Sequence, residues 1–555
     1  MRYLYIIFSF VSLCLTTNAQ NFQLEDTQYD FIRIKKIINQ DSTNDNSFNI
    51  RNTNLYWSIK LDTINNKSGF NAKLLFLNHT VQHNSNLPIG FNDRNFIPSV
   101  GLQQKSSIAM LIKWGKLRIH LQPELISSQN LPGEEFIENP TDSFYRRDFY
   151  WNVRNKIDNA FKFGSNTPFT SFNLGQSSIR YQSKTISFGI SNENLWWGPG
   201  LRNSLILTNN ASGFLHFTFN TIKPIRTRLG QIEFQSIYGQ LDSSRLTIND
   251  FDNFNNNSNF VEKKINIHRR ILGYVISWKP KWFEGLFIGM AGARYFYNSE
   301  VIPLPSPNIL SYENRLKKES LSSIFFRYQM PKDNAEIYME FGRAKKFIAL
   351  PNLIGDTIPT AYTVGLRKAF LLKSKKGFPT SGAILVSIEL TKLQLPDNRL
   401  IFNSNNITGV PKTNSWYTSS YIKQGYTNQG QVIGASIGPG SNSQTLSISW
   451  LKGYKKLSFN IERINYNADF YQYHYFNGRI GKGNPSNYWV DINTGFQFQW
   501  DFDNFLFNAS YLYTSSLNYR WTKLGGNYAD PAPLSDKDNH QLSLSIVYLI
   551  KRSFK

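Results

Sequence analysis

The chain has a single cysteine, Cys14. It lies within an N-terminal stretch with the three parts of a secretory signal: Arg2, an apolar core from Tyr3 to Leu15, and Thr17-Asn18-Ala19 before Gln20. Export with cleavage after residue 19 would leave no thiol and no disulfide, and Leu13 is too large for a usual lipoprotein cleavage box, which excludes a lipid anchor. Beyond that stretch no run approaches the roughly 18–20 consecutive apolar residues of a membrane-spanning helix, which excludes a helical inner-membrane protein. Acidic residues are scarce, 38 Asp and Glu against 61 Lys and Arg, for a formal net charge of +23. Outside the cytoplasm such a balance favours lipid A phosphates or acidic polysaccharide over nucleic acid, or it is solvated loop charge near an anionic leaflet.

Catalytic constellations are lacking too. His79, His83, His120, His216, His268, His474 and His540 are scattered. His79 and His83 would share a metal only on a helix, which their Asn-rich flanks disfavour, so no metal or other cofactor is expected. Ser212 and His216 are close in sequence, but no GxSxG accompanies them, and no enzyme activity is expected.

Aromatics are abundant, at 15% with 43 Phe, 29 Tyr and 12 Trp, while mean hydropathy is only -0.38. That mixture suits a transmembrane β-barrel, which hides its hydrophobicity in alternate residues and gathers aromatics at the two membrane interfaces. A large secreted β-sandwich or propeller array is the soluble alternative. Alternation recurs from about residue 106 to the end. In AEIYMEFG, Ala335, Ile337, Met339 and Phe341 share one face and Glu336 and Glu340 the other. Phe496, Phe498, Trp500 and Phe502 alternate with polar residues, a tight Asp503-Asn504 turn follows, and Phe505, Phe507, Ala509, Tyr511 and Tyr513 alternate again. That pair reads as a periplasmic hairpin. Leu542, Leu544, Ile546, Tyr548 and Ile550 form a last strand of the kind barrel closure requires.

Residues 20–105 read as an N-terminal periplasmic region and 106–555 as the barrel. Within 28–39, Phe31, Ile34, Ile37 and Ile38 fall near one helical face, with Arg33, Lys35 and Lys36 largely elsewhere. A second helix candidate spans 143–161. Asn-rich 249–260 and Pro-rich 302–308 read as extracellular loops.

The most informative stretch is 191–217, SNENLWWGPGLRNSLILTNNASGFLHF. A strand runs into Trp196-Trp197, and Gly198-Pro199-Gly200 then forces a turn. Here the chain resembles the Wzi capsule-assembly family of outer-membrane proteins, in its Bacteroidetes-type members. Further pieces fit the pattern in order: Gly90-Phe91-Asn92-Asp93 with Ile97-Pro98; Gln122-Pro123-Glu124; Gly175-Gln176-Ser177-Ser178-Ile179-Arg180; and Gly425-Tyr426-Thr427-Asn428 with Gly438-Pro439-Gly440. Arg94 stands where a glycine is expected after Asn-Asp.

The resemblance implies an all-β outer-membrane barrel of about 18 antiparallel strands with short periplasmic helices at its mouth and an obstructed lumen. It implies a monomeric surface lectin that binds exported capsular or other acidic polysaccharide, sits in outer-membrane lipid and lipopolysaccharide, and is inserted by the barrel-assembly machinery. Two roles are open for the tryptophan block. Trp196 and Trp197 stack on sugar faces, Arg202 binds a uronate or phosphate, and Asn194, Asn203, Asn209 and Asn210 bond hydroxyls. Alternatively, the indoles plug the lumen and the amides satisfy the inserted turn. Glu124 and Glu193 are expected to pair with Arg180 or Arg202, because an unpaired carboxylate inside a barrel is costly. The rival function is a porin for anionic solutes. A TonB-dependent transporter, with about twenty-two strands and a plug, needs more chain.

Overall fold

The computed structural model describes residues 24–38, 46–51, 69–132, 153–158, 168–244, 264, 268–298, 318–344, 359–372, 382–395, 414–471, 488–519 and 536–550. The signal segment and the loop stretches 249–260 and 302–308 lie outside these residues.

Eighteen antiparallel strands close into one barrel. In chain order they are β1 (Phe70–Asn84), β2 (Gly101–Trp114), β3 (Leu117–Leu121 continued by Glu124–Ser128), β4 (Phe169–Asn173 continued by Ser178–Gln182), β5 (Ile186–Ser191) and β6 (His216–Thr221 with Ile225–Thr227). Next come β7 (Gly230–Leu241), β8 (Arg269–Pro280), β9 (Leu286–Tyr297), β10 (Lys318–Met330), β11 (Ala335–Ala344) and β12 (Thr360–Leu371). The last are β13 (Ala383–Lys392), β14 (Asn442–Lys452), β15 (Lys455–Asn465), β16 (Val490–Phe502), β17 (Phe505–Leu517) and β18 (Lys537–Leu549). Pairing of β1 with β18, from Phe76 opposite Leu549 to Asn84 opposite Gln541, closes the ring. Closure leaves no strand edge unpaired, the condition for spanning lipid.

The outward face is mostly apolar, by alternation along the strands. Leu77, Ile108, Phe217, Ile276, Ile324, Leu366, Ile448 and Phe498 are all exposed, as lipid-facing positions must be. The inward face is polar: Glu336 and Glu340 on β11 are fully buried, while Ile337 between them points out. Turns of two to five residues, such as 115–116, 228–229 and 503–504, gather at one end with the 372–382 connection, and the longer connections gather at the other. The short-turn end is the periplasmic end of an outer-membrane barrel. The Asp503-Asn504 hairpin is there, with Asp503 in the left-handed region at φ 48°.

One boundary differs from the sequence reading. The barrel begins at Phe70 rather than at 106, because β1 contains Asn78, His79, Gln82 and His83 and a bulge between Leu74 and Phe76 that break its alternation. The N-terminal helix α1 (Leu24–Ile37) covers the 28–39 candidate and lies at the barrel mouth, where the resemblance put it. It packs at the short-turn end: Phe31 stacks on Tyr454 of the 453–454 turn at 4.1 Å, and Ile34 packs on Ala369 and Leu385.

Of the 143–161 helix candidate, residues 143–152 and 159–161 lie outside the described residues, and Arg154–Lys156 forms a single 3-10 turn. That turn sits at the long-loop end, not the periplasmic mouth. Asp158 just after it accepts from the Ser244 backbone N–H at 2.7 Å and the Ser244 hydroxyl at 2.8 Å, beyond the outer end of β7.

A one-turn helix, α2 (Ala468–Tyr471), follows β15. Burial raises its Asp469 carboxyl to about 6, against the Leu395 N–H that donates to it. A raised carboxyl favours the fold while protonated, and that contribution is lost as pH rises from the ordinary range near 4 through 6. Asp469→Asn is therefore expected to raise the melting temperature at pH 8 and to leave it unchanged at pH 4.

Candidate functional site: a filled lumen

The segment 192–215 leaves β5 and turns into the barrel instead of away from it. Its first anchor is Glu193, which accepts from Arg180 Nη2 at 2.6 Å, Ser178 Oγ at 3.0 Å, Ser191 Oγ at 3.0 Å and faces His120 Nδ1 at 3.3 Å. Burial alone would raise this carboxyl; the Arg180 charge and the His120 contact outweigh it and hold Glu193 well below the usual range. The expected Glu193–Arg180 pair is present. Glu124 instead accepts from Asn95 Nδ2 at 2.5 Å, because Arg202 and Arg180 are each engaged elsewhere.

Trp196 and Trp197 then pair as a short strand with Ile50–Arg51, a segment of the N-terminal region threaded into the lumen. Trp197 is fully buried; its Nε1 donates to Gln235 Oε1 at 2.9 Å, and its six-membered ring fits against Gly273, where a Cβ would come within 2.8 Å. Trp196 lies under the Arg51 guanidinium, 3.7 Å from the ring centre, and its Nε1 donates to Gly200 O. Neither indole offers a face to solvent.

The following turn is anchored to lumen carboxylates. Gly198, at φ 114°, lies so close to Ser204 and Glu340 that a Cβ would meet Ser204 Oγ at 2.4 Å. Gly200 passes equally close to the Asn203 carbonyl. The Pro199 carbonyl accepts from Arg33 Nη1 at 2.9 Å. The backbone N–H groups of Leu201, Arg202 and Asn203 all donate to Glu389, at 2.7, 3.1 and 2.7 Å. The Arg202 side chain is held by Glu462 in a two-pronged bond of 3.0 and 2.8 Å and covers Phe91. Three successive donors on one carboxylate satisfy the backbone of this largely buried turn.

The amides also face inward. Asn194 bonds Gln176 through both its N–H and its Oδ1 and donates to Ala211 O at 2.8 Å. Asn203 donates to Ser443 Oγ, and its Oδ1 accepts from Ser436. Asn209 O accepts the Arg94 N–H, and Asn210 donates to Val432 O at 2.9 Å.

The separate motifs meet here. Asn92 donates to Arg202 O at 2.9 Å, Asp93 accepts the Phe91 N–H, and Ser177 accepts the Gln122 N–H. Gly425 O accepts from Arg269 Nη1 at 2.9 Å, and Pro439 O accepts from Ser441 Oγ. Gly438, at φ 78°, makes a left-handed turn. Arg94 has φ 58°, the conformation that glycine takes most easily, so the turn is the expected one made with a costlier residue.

A second inserted segment, 414–441, carries the Gly425-Tyr426-Thr427-Asn428 and Gly438-Pro439-Gly440 motifs. Trp416 is fully buried against Gly342, where a Cβ would meet its ring at 2.9 Å. Tyr417 donates to Leu205 O at 2.7 Å, accepts the Ala435 N–H at 2.7 Å and stacks on Tyr426 at 5.6 Å. Together with Leu205, Ile206, Leu207, Ile433 and Ile437 these residues form an apolar core inside the barrel, continuous with wall residues Ile271, Val275 and Tyr295.

Other readings do not converge on a site. Ser212 bonds Gln429 and Asn428, whereas His216 Nδ1 faces Phe214 O at 2.8 Å, so they form no dyad. His79 and His83 lie on strand β1, about 13 Å apart at strand rise. Among the described residues no three His, Cys, Asp or Glu side chains gather as a metal site.

Residues 91–267 match the model of the family described as capsule assembly protein Wzi. Over that range, about a third of the chain, the sequence is similar to the Wzi family. The matched range contains Asn92-Asp93, Glu124, Arg180 and the whole tryptophan segment, and stops before the 414–441 segment that packs on it. Among solved structures the fold is similar to Wzi of Escherichia coli, described as an outer membrane protein involved in group 1 capsule assembly and a carbohydrate-binding β-barrel. The TM-score is 0.53 at 14% identity, over 86% of this chain and 85% of that one. Similarity extends to two Pseudomonas aeruginosa proteins. OccK5 (OpdH) aligns at TM-score 0.38 and 9% identity over 87% of this chain and 98% of its own. OccD3 (OpdP) aligns at 0.40 and 8%, over 89% and 98%. No curated protein sequence gives a significant match. The chain has the fold of an outer-membrane β-barrel.

Proposed function

We propose that this barrel is a member of the Wzi family and a surface lectin, which captures exported capsular or other acidic polysaccharide and holds it at the cell exterior. The observation that carries this reading is the filled lumen: a barrel whose interior is a packed core works from its outer surface rather than by passing solutes. The +23 balance supports an anionic polymer as the partner. No reaction is assigned. The tryptophan segment takes the sealing role in this proposal, with Trp196, Trp197, Arg202 and the four asparagines holding the insert and sugar contacts lying at the extracellular mouth. Tyr421 is a candidate there: its ring is 60% exposed, while the Ser419 hydroxyl accepts its backbone N–H and fixes its position. The protein acts as a monomer in outer-membrane lipid and lipopolysaccharide, after insertion by the barrel-assembly machinery.

A strain lacking the protein is expected to export its polymer and shed most of it into the medium, measured as the ratio of cell-bound to free polysaccharide. Restoring Tyr421→Ala instead of the natural chain is expected to recover only part of the bound fraction. A deletion that abolishes export itself would contradict surface attachment and indicate transport.

A further inference from the structure

At the long-loop end, the outward faces of β7 and β8 change from apolar to polar. The register sets Tyr238 opposite Leu272 and Gln240 opposite Arg270. Just beyond the paired residues Asp242 meets His268, whose Nδ1 lies 2.7 Å from Asp242 Oδ1. The direction of these side chains follows from the residues between them. Leu241 belongs to the core inside the barrel and Arg269 donates to Gly425 O, so Gln240 and Arg270 point outward. Tyr238 and Leu272 are the last apolar pair. The two rows beyond them, spaced about 7 Å apart along the strands, are polar throughout.

This patch is open. Tyr238 is 43% exposed, the side chains of His268 and Asp242 are 53% and 40% exposed, and Gln240 and Arg270 are half-buried. It is also ordered in advance. Gln240 Nε2 donates to Asp242 Oδ1 at 3.3 Å, and the His268 carbonyl accepts the Asn298 N–H at 3.0 Å. The filled lumen fixes the Asp242 backbone: its N–H donates to Asn428 Oδ1 at 2.9 Å, and its carbonyl accepts the Gln429 N–H at 2.9 Å and Arg269 Nη2 at 2.8 Å. Arg270 Nε donates to Asn298 Oδ1 at 2.7 Å, with the guanidinium 5.9 Å from the centre of the Tyr238 ring. Among the described residues its Nη1 and Nη2 have no partner. Side chains that hold one another in place lose little freedom when a ligand arrives, which lowers the cost of binding.

We infer, resting on the lectin reading above, that this patch is a subsite for one acidic sugar residue of the polymer, of the uronic acid class. The carboxylate of the sugar takes Arg270 Nη1 and Nη2, a planar fork that matches its two oxygens. The sugar ring lies against Tyr238, and its hydroxyls meet Asp242 Oδ2, Gln240 and His268. Asp242 has its Oδ1 engaged by both His268 and Gln240, which leaves Oδ2 to accept a hydroxyl. Arg270 thus supplies the contact that the sequence suggested for Arg202, whose guanidinium is taken by Glu462.

The test uses polysaccharide recovered from the medium of a strain lacking the protein, before and after chemical reduction of its carboxyl groups to alcohols. Each form is titrated into the full chain in neutral detergent. The unreduced polymer is expected to bind, and the reduced one at least about tenfold more weakly, the scale of losing charge-assisted hydrogen bonds. Arg270→Gln is expected to bring the unreduced polymer down to the affinity of the reduced one and to leave the reduced one unchanged. Tyr238→Ala is expected to weaken both. Lipopolysaccharide free of the polymer is expected not to compete. Should Arg270→Gln fail to refold, the comparison of the two polymers on the natural chain still decides. No binding of the unreduced polymer, equal affinity for both forms, an unchanged preference in folded Arg270→Gln, or competition by lipopolysaccharide, which would assign the patch to lipid headgroup sugars, would overturn the subsite. A deletion strain that sheds no polymer would instead overturn the lectin reading, and the subsite with it.

Discussion

Glu336→Gln is expected to destabilise the barrel by about 3–5 kcal/mol, the scale for removing one partner of a buried ion cluster. Glu336 is fully buried on the lumen face of β11. Arg33 Nε approaches it at 3.0 Å, Arg327 Nε at 2.6 Å and Arg367 Nη1 at 3.8 Å. One carboxylate thus faces three guanidiniums. A second, Asp30, shares the load by binding Arg367 at 2.8 Å and Lys456 at 3.1 Å. Burial opposes ionisation of Asp30, but those two cations outweigh it and hold the carboxyl well below the usual range.

Both Asp30 and Arg33 belong to α1, so the cluster is also what holds the helix in the barrel. Loss of the Glu336 charge leaves Arg33 and Arg327 buried without a counter-ion, and the least costly relief is for α1 to leave. The expected result is a lower unfolding midpoint together with new tryptic cleavage at Arg33, Lys35 or Lys36. Arg33→Met, which removes a cation and keeps apolar bulk, is expected to be milder. Unchanged midpoint and unchanged cleavage in Glu336→Gln would show that the cluster does not hold the helix.

The parts of the fold that lipid dictates were legible in the sequence. Hydrocarbon on one side forces every second residue to be apolar, so the Phe496–Phe502 and Phe505–Tyr513 alternation identified both strands of a hairpin and their turn. The same logic separated Ile337 from Glu336 and Glu340. Strand β1 was hidden, because a bulge at Leu75 shifts its phase and its inward amides and outward histidines blur the contrast.

The lumen was harder to read, because its contacts join residues far apart in sequence. Arg33 looked like a solvated helix residue, and nothing local indicates Glu336, 303 positions away. The tryptophan block was visible from its Gly-Pro-Gly turn, and the residues Asn92, Arg180, Glu193 and Arg202 do come together. Their sealing or binding role could not be separated in sequence, since an indole is equally suited to a sugar face or a packed core. Trp416 went unnoticed: it stands in a polar stretch, and its signal is Gly342, a glycine on another strand that makes room for the ring.

The inserted core also sets the second large effect. Trp197 and Trp416 are each fully buried, and each fits against a wall glycine, Gly273 and Gly342. Truncating a buried tryptophan to alanine costs about 3–5 kcal/mol, because the surroundings only partly fill the space. Two such cavities in the core that also holds Leu205 and Ile206 would loosen the packing between the inserted segments and the wall. Trp197→Ala/Trp416→Ala is therefore expected to unfold at markedly lower temperature and to leak, while the strand framework, held by closure, persists.

Single-channel recording in planar bilayers tests the central claim, a barrel closed by its own core, most directly. The natural chain is expected to insert and stay electrically silent, and Trp197→Ala/Trp416→Ala to show frequent openings under the same voltage. A large, steady conductance from the natural chain would contradict the account, since a lumen filled by the 192–215 and 414–441 segments has no path for ions.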